Sequence, residues 1–294
     1  MKKSRLATLL LSLFALAFVA GCSSDDSGSS SDDSASTNGA KVASLSDCTP
    51  DQLSTFREGV LTVATDSPAY EPYFENDDPS NGKGFESAVA YAIADKLGFS
   101  RSEVEWTVVP FNASYAPGPK KFDFDVNQIS ITPAREKAVD FSIPYYTANQ
   151  AVLVTKDSGI GEVSGLDELQ DLNIGVQIGT TSLEAVESEI EPTTKPKVYD
   201  NSNDVVTALK QGQIDAAVLD LPTAIYLRAV EIPDSSIAGQ FSAPGGDEWG
   251  ALLQKDSELT PCVNAALEAL KEDGSLEEIT RQWMSESAKA PELS

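Results

Sequence analysis

Apolar and polar positions along the chain follow two rhythms, separated by turn signals. Residues 60–66 (VLTVATD) are a β-rich run ending in polar residues, and a loop rich in Pro, Gly and Asn follows. From there Phe85, Ala88, Val89, Ala92, Ile93 and Leu97 recur at helical spacing. Residues 104–111 (VEWTVVPF) and 122–132 (FDFDVNQISIT) read as two more strands. Apolar parity switches between Val126 and Ile129, which predicts a bulge or bend near Asn127 and Gln128. This third strand is expected to enter a helix, with Thr132 at the N-cap, Pro133 in the first turn and Arg135 at the third helical position.

A second series begins after Tyr146. Strands are predicted at 151–156 (AVLVTK), at 172–182 (LNIGVQIGTTS, ending in a Gly-Thr-Thr-Ser turn) and at 214–220 (IDAAVLD). Between them lie a capping pattern at 164–167 and helices at 182–190 and 204–212; Pro222 opens another over 222–230. The tail returns with a strand at 250–255 (GALLQK), a helix from Thr260 and Pro261 to Gly274, and a helix over 275–284. Strands alternating with helices predict an α/β fold with mostly parallel pairing.

The first 46 residues follow neither rhythm. Lys2, Lys3 and Arg5 precede an uncharged apolar run at 6–20, which is shorter than the roughly 20 residues of a membrane span. That is the pattern of a signal peptide over 1–21. Its end, VAGC at 19–22, resembles a bacterial lipobox, in which Cys22 would be acylated, palmitate included, and become the new N-terminus; an ordinary secretory signal is the alternative. Residues 22–46 then form a Ser/Asp-rich tether, spanning roughly 27 Å as a flexible coil. An extracytoplasmic lipoprotein is expected, on the outer face of the cytoplasmic membrane or in the periplasm.

Charge and cysteine usage narrow the function. The full chain carries −25, and losing residues 1–21 removes three cations and no anions, giving −28. Such a body repels nucleic acid and anionic lipid surfaces. No histidine is present, which excludes histidine catalysis and histidine metal ligation; no metal or cofactor is expected. With Cys22 taken by lipid, Cys48 and Cys262 remain as a pair in an oxidising compartment. A disulfide between the start of the fold and a C-terminal helix is expected, two separate buried thiols being the alternative.

Three polar clusters end predicted strands, where ligands of open α/β sheets bind. They are Gln128, Ser130, Thr132 and Arg135; Gly179 to Ser182; and Asp220. A guanidinium and helix-start amides facing a carboxylate complement a zwitterion: Arg135 with Thr180 and Thr181 for its acid, Asp220 for its ammonium. Each cluster has an ordinary use as well. Arg135 could pair with Asp140 or Glu136, Gly-Thr-Thr-Ser could be a helix cap, and Asp220 could cap the helix after it.

The chain resembles the family 3 solute-binding proteins, the amino-acid-binding lipoproteins or periplasmic proteins of ABC importers. The matching stretches are VATDSPAYEPYFE, GKGFESAVAYAIADKLG, NQISITPAREKAVDFSIPYY, IGVQIGTTSLE, GQIDAAVLDLPTA and ALEALKEDGSLEEITRQW, in the family's order. The resemblance implies a two-lobed periplasmic-binding-protein fold of type II with two crossover hinge strands. Lobe 1 would be 47–147 plus 248–294, and lobe 2 148–247. It implies Arg135 on the ligand carboxylate assisted by Thr180 or Thr181, and Asp220 on the ammonium. Tyr70 and Phe111 would be aromatic walls, Ser130 a hydroxyl contact and Gln128 a polar contact. An L-amino acid is the expected ligand, polar or cystine by resemblance, and the partner is a membrane permease served by a monomer. The alternatives are a dehydratase of prephenate-like acids, with Glu71 or another carboxylate as acid or base, and a ligand-sensing lipoprotein. One stretch departs from the family: 111–123 carries Pro117, Gly118 and Pro119 where an amphipathic helix is usual, so the wall near Asn112 and Tyr115 is remodelled. Trp249 is left open between core and site.

Overall fold

Most strands and helices form where the periodicity places them, and two mixed five-stranded sheets result. The computed structural model describes residues 44–161, 163–284 and 291–293. The expected signal peptide, Cys22 and the expected tether up to residue 43 lie outside the described residues. Leu45–Asp47 forms a 3-10 turn, with Leu45 against the core, so the fold includes residues ahead of the expected Asp47.

In chain order the elements are β1 (Leu61–Thr65), α1 (Phe85–Lys96), β2 (Val104–Val108), α2 (Phe111–Ser114), β3 (Phe124–Asp125), β4 (Val139–Phe141), β5 (Tyr146–Thr147) and β6 (Gln150–Thr155). There follow β7 (Ile174–Gln177), α3 (Thr181–Ala185), β8 (Lys197–Tyr199), α4 (Ser202–Lys210), β9 (Ala216–Asp220) and α5 (Leu221–Tyr226). The chain closes with β10 (Ser235–Phe241), β11 (Glu248–Trp249), β12 (Leu252–Gln254), α6 (Thr260–Glu272) and α7 (Ser275–Met284).

The first lobe holds the sheet β2-β1-β3-β12-β4 and the second the sheet β10-β6-β9-β7-β8. β5 and β11 pair antiparallel between them, Trp249 opposite Tyr146, as the two crossover strands. Pairing is not mostly parallel as the alternation predicted. β12 runs antiparallel to β3 and β4, and β6 antiparallel to β9 and β10, because chain leaving or re-entering a lobe joins its sheet in reverse.

Two local expectations change. The chain bends as predicted at Gln128, which takes a positive φ of 50°, and regular strand stops at Asp125. No α-helix follows Thr132: Arg135–Lys137 is a single 3-10 turn leading into β4. Thr132 still accepts from the Arg135 amide (3.2 Å), but there is no helix dipole for Arg135 to oppose. α2 is one turn long, as Pro117, Gly118 and Pro119 require.

Cys48 and Cys262 form a disulfide that ties the start of the fold to α6 across 214 residues. Trp249 is fully buried beneath the crossover, 4.9 Å from the Tyr146 ring and 5.6 Å from Tyr73, so it is core. Pro291 to Leu293 run along the edge strand β10: the Pro291 carbonyl accepts from the Gln240 amide and the Leu293 amide donates to Gln240, each at 2.7 Å. The Leu293 side chain fills the space where a Cβ on Gly239 would sit.

Candidate functional site

Between the lobes lie two adjoining cavities of about 80 and about 350 Å3. Tyr70, Phe111, Asn127 and Gln128 from the first lobe line both, as do Gln177 and Ser202 from the second. The smaller one also takes in Ser130, Thr180, Thr181, Asp220 and Thr223; the larger takes in Asp66 and Asp200. The two walls touch. Tyr70 donates to Asn203, the Tyr73 and Thr223 hydroxyls lie 2.8 Å apart, and the Ser130 and Thr181 hydroxyls 3.3 Å apart.

Seven of the eight sequence-selected ligand residues line the smaller cavity. The exception is Arg135, which is buried beside it. Its guanidinium donates to the Ser130 carbonyl (2.7 Å) and, across the cleft, to the Gly179 carbonyl (2.9 Å). It lies 5.4 Å from the Phe111 ring centre and 4.9 Å from that of Tyr115. It makes no ion pair with Asp140, which binds Lys255 instead. The remodelled wall therefore covers Arg135 with two aromatic rings. Gly179 fits beneath that wall because it has no side chain: its φ is +73°, and a Cβ would lie 2.3 Å from the Tyr115 hydroxyl.

The ordinary uses divide. Thr180 does cap its helix, accepting from the Leu183 amide at 3.2 Å. Asp220 caps nothing; its carboxylate accepts from Gln150 Nε2 at 2.8 Å. Burial pushes the Asp220 carboxyl well above the usual range, and the nearby charge of Asp247 adds to the effect. The Gln128 side chain turns from the cleft to Glu86, which also accepts from its amide and from the Tyr145 hydroxyl. Burial raises the Glu86 carboxyl to about 7. Desolvation raises the Tyr70 hydroxyl to about 12.

One group absent from the sequence reading joins the cluster. Asp247 precedes β11 and is wholly buried. It accepts from Ser130 Oγ, Thr181 Oγ1 and Gln150 Nε2. The flanking chain holds Ser130 over it: the Ile131 amide donates to the Glu248 carbonyl and the Gly250 amide to the Ile129 carbonyl. The glycines of GGDEW mark a turn, but nothing in that stretch indicates which residues it will meet. Glu71 lines neither cavity, and Asp77, Asp78 and Glu75 serve their own loop by binding the Ala69 amide, the Ser80 amide and Lys83.

Residues 61–286 match the model of the bacterial extracellular solute-binding proteins, family 3. The arginine-binding extracellular protein ArtP of Bacillus subtilis (strain 168) is 33% identical over 224 residues, 73% of this chain and 82% of that protein. The ABC transporter glutamine-binding protein GlnH of the same organism is 30% identical over 286 residues, 94% of this chain and 96% of its own. Among solved structures, an ancestral arginine-binding protein bound to glutamine superposes with a TM-score of 0.66 at 33% identity, covering 78% of this chain and 99% of that one.

Proposed function

The chain belongs to the bacterial extracellular solute-binding proteins, family 3, and from that premise we propose that it captures an L-amino acid between its lobes and delivers it to an ABC permease. The observation that carries this reading is a cleft with a buried guanidinium, Arg135, at one side and a carboxylate, Asp220, on the opposite wall. Arg135 takes the ligand carboxylate with the helix-start amides of Thr180 and Thr181, Asp220 takes the ammonium, Ser130 adds a hydroxyl, and Tyr70 and Phe111 flank the chain. Gln128 acts through its backbone carbonyl, since Glu86 holds both its side chain and its amide.

Among the described residues the larger cavity is lined by Asp66 and Asp200 and by no lysine or arginine. A polar side chain fits this lining, and a cationic one complements its charge. Lobe 1 is 47–147 with 248–284 and lobe 2 is 148–247; the expected extension of lobe 1 to 294 gives way at Pro291 to Leu293, which lie along β10 of the second lobe. A ligand that bridges them binds the closed form better and shifts the population toward it. The protein works as a monomer anchored through acylated Cys22 at the outer face of the membrane. Binding without turnover is the reading favoured over a dehydratase: Glu71, one of the carboxylates weighed as acid or base, lines neither cavity.

Thermal unfolding of the protein against L-arginine, L-glutamine, L-cystine and other L-amino acids tests the reading. A ligand at a hundredfold excess over its Kd stabilises the folded state by about 2.7 kcal/mol, a readable rise in Tm. A flat response across the panel, or turnover of prephenate, would overturn it.

A further inference from the structure

Asp247 does not line the cavity, yet it contacts two residues that do. A hydroxyl carries one proton and two lone pairs, and a carboxylate can only accept. Ser130 Oγ gives its proton to Asp247 Oδ1, and Thr181 Oγ1 lies 3.2 and 3.3 Å from the two Asp247 oxygens. The third contact, Gln150 Nε2, can only donate, so Asp247 Oδ2 is an acceptor; the same nitrogen also reaches Asp220 at 2.8 Å. With their protons committed, both hydroxyls turn lone pairs toward the cavity they line.

We propose that Asp247 is a positioning residue that sets the polarity of this wall: it makes Ser130 and Thr181 acceptors, so that with Asp220 they select a primary α-ammonium over an α-hydroxyl. The inference rests on the reading that the cavity holds an amino acid. The number of groups matches. An ammonium has three protons, and the wall offers three acceptors: Ser130 Oγ, Thr181 Oγ1 and the Asp220 carboxylate. An α-hydroxyl supplies one proton and leaves two buried acceptors unmet, the situation in which sites discriminate by several orders of magnitude. Residues of both lobes and the return crossover meet at this one carboxylate, so the selection is completed only when the lobes come together.

The experiment is calorimetric titration of the full chain and its variants with L-arginine and with its α-hydroxy analogue. Wild type should prefer L-arginine by at least about a thousandfold, in line with sites built around a substrate's donors. In Asp247→Asn the new amide donates to one hydroxyl and turns that proton toward the cavity. The preference should then narrow by about tenfold or more, whatever happens to either affinity alone. A change that only loosened the hinge would weaken both ligands alike and leave the ratio intact, and an unchanged ratio would overturn the proposal. Thr181→Val and Thr181→Ser provide the second readout should Asp247→Asn fail to fold. Valine should narrow the ratio and serine should keep it; equal ratios in the two variants would overturn the assignment. Wild type that binds L-arginine without preferring it to the hydroxy acid sinks the proposal alone. Wild type that binds no amino acid of the panel removes the underlying reading and this inference with it.

Discussion

The two lobes solve the same packing problem with different materials. The second lobe sandwiches its sheet between two aliphatic layers: Val152, Val154, Ile174 and Val218 on one side, and Leu153, Val205, Leu209, Leu221 and Leu227 on the other. The first lobe is aromatic, with Tyr73, Phe74, Phe85, Phe124, Tyr145 and Trp249 buried, and it encloses the acids Glu86 and Asp125. Neither carboxylate oxygen of Asp125 has a hydrogen-bond partner, and burial pushes that carboxyl well above its usual range, with Glu86 and Asp66 adding to the shift. The disulfide also lies in the first lobe. The second lobe packs aliphatic layers on both faces of its sheet, whereas the first buries the acids Glu86 and Asp125 among its aromatics and carries the cross-link as well.

That contrast can be broken at the cleft, where the effects are largest. Arg135→Ala on one wall and Asp220→Asn on the other should each weaken amino-acid binding by at least about a hundredfold, since each removes one partner of a desolvated charge contact. Calorimetric titration reads both, and near-normal affinity in either variant would cancel that residue's role. The reduced pair Cys48→Ser/Cys262→Ser should lose about 2–5 kcal/mol in urea denaturation. Faster amide exchange should be confined to α1, α6 and α7, with β6 and β9 unchanged; uniform acceleration would mean that the lobes do not differ in this way.

Glu86 gives an effect of at most about 3 kcal/mol, from a carboxyl moved from 4.5 to about 7 by burial. The folded state keeps this proton after the unfolded chain has lost its own, so stability falls as pH rises between those values. It is flat below, where both states are protonated, and flat above, where both are ionised. Denaturation at pH 5 and pH 8 should show the loss, and Glu86→Gln should flatten it. Equal slopes would assign the effect to the other raised acids, Asp123, Asp125, Asp220 and Asp247. Ligand affinity should move the opposite way, weakening as pH falls, because a protonated Asp220 no longer offers charge to an ammonium. The smallest change belongs to the second lobe. Gly239→Ala should cost about 1–2 kcal/mol by pushing Leu293 off the sheet edge, seen as faster exchange along β10. No change would mean that the tail contributes nothing to the edge it covers.

What could be read in advance followed from local periodicity. The spacing of Phe85, Val89 and Ile93 gave α1, and the run ending in Asp220 gave β9, because helix and strand each bury one repeating set of neighbours. The parity switch after Val126 marked the bend at Gln128, and the Cys48–Cys262 pair followed from compartment. The short strands β4, β5, β8 and β11 have two or three residues, too few for any period, and their partners lie far along the chain. The helix expected after Thr132 gave way to a turn because the chain there is needed for β4.

By itself the sequence determined the longer helices and strands, the resemblance that names the family, the cysteine pair, and seven of the residues that line the cleft. These are properties of neighbouring positions or of composition. Only the tertiary structure decided that Arg135 lies beneath Phe111 and Tyr115 and reaches the Gly179 carbonyl, that the Gln128 side chain turns to Glu86, and that Asp247 lies behind Ser130 and Thr181. Ser130 and Asp247 are 117 residues apart. A buried carboxylate takes its partners from whatever the folded chain brings within about 3 Å, and no periodicity along the chain encodes that distance.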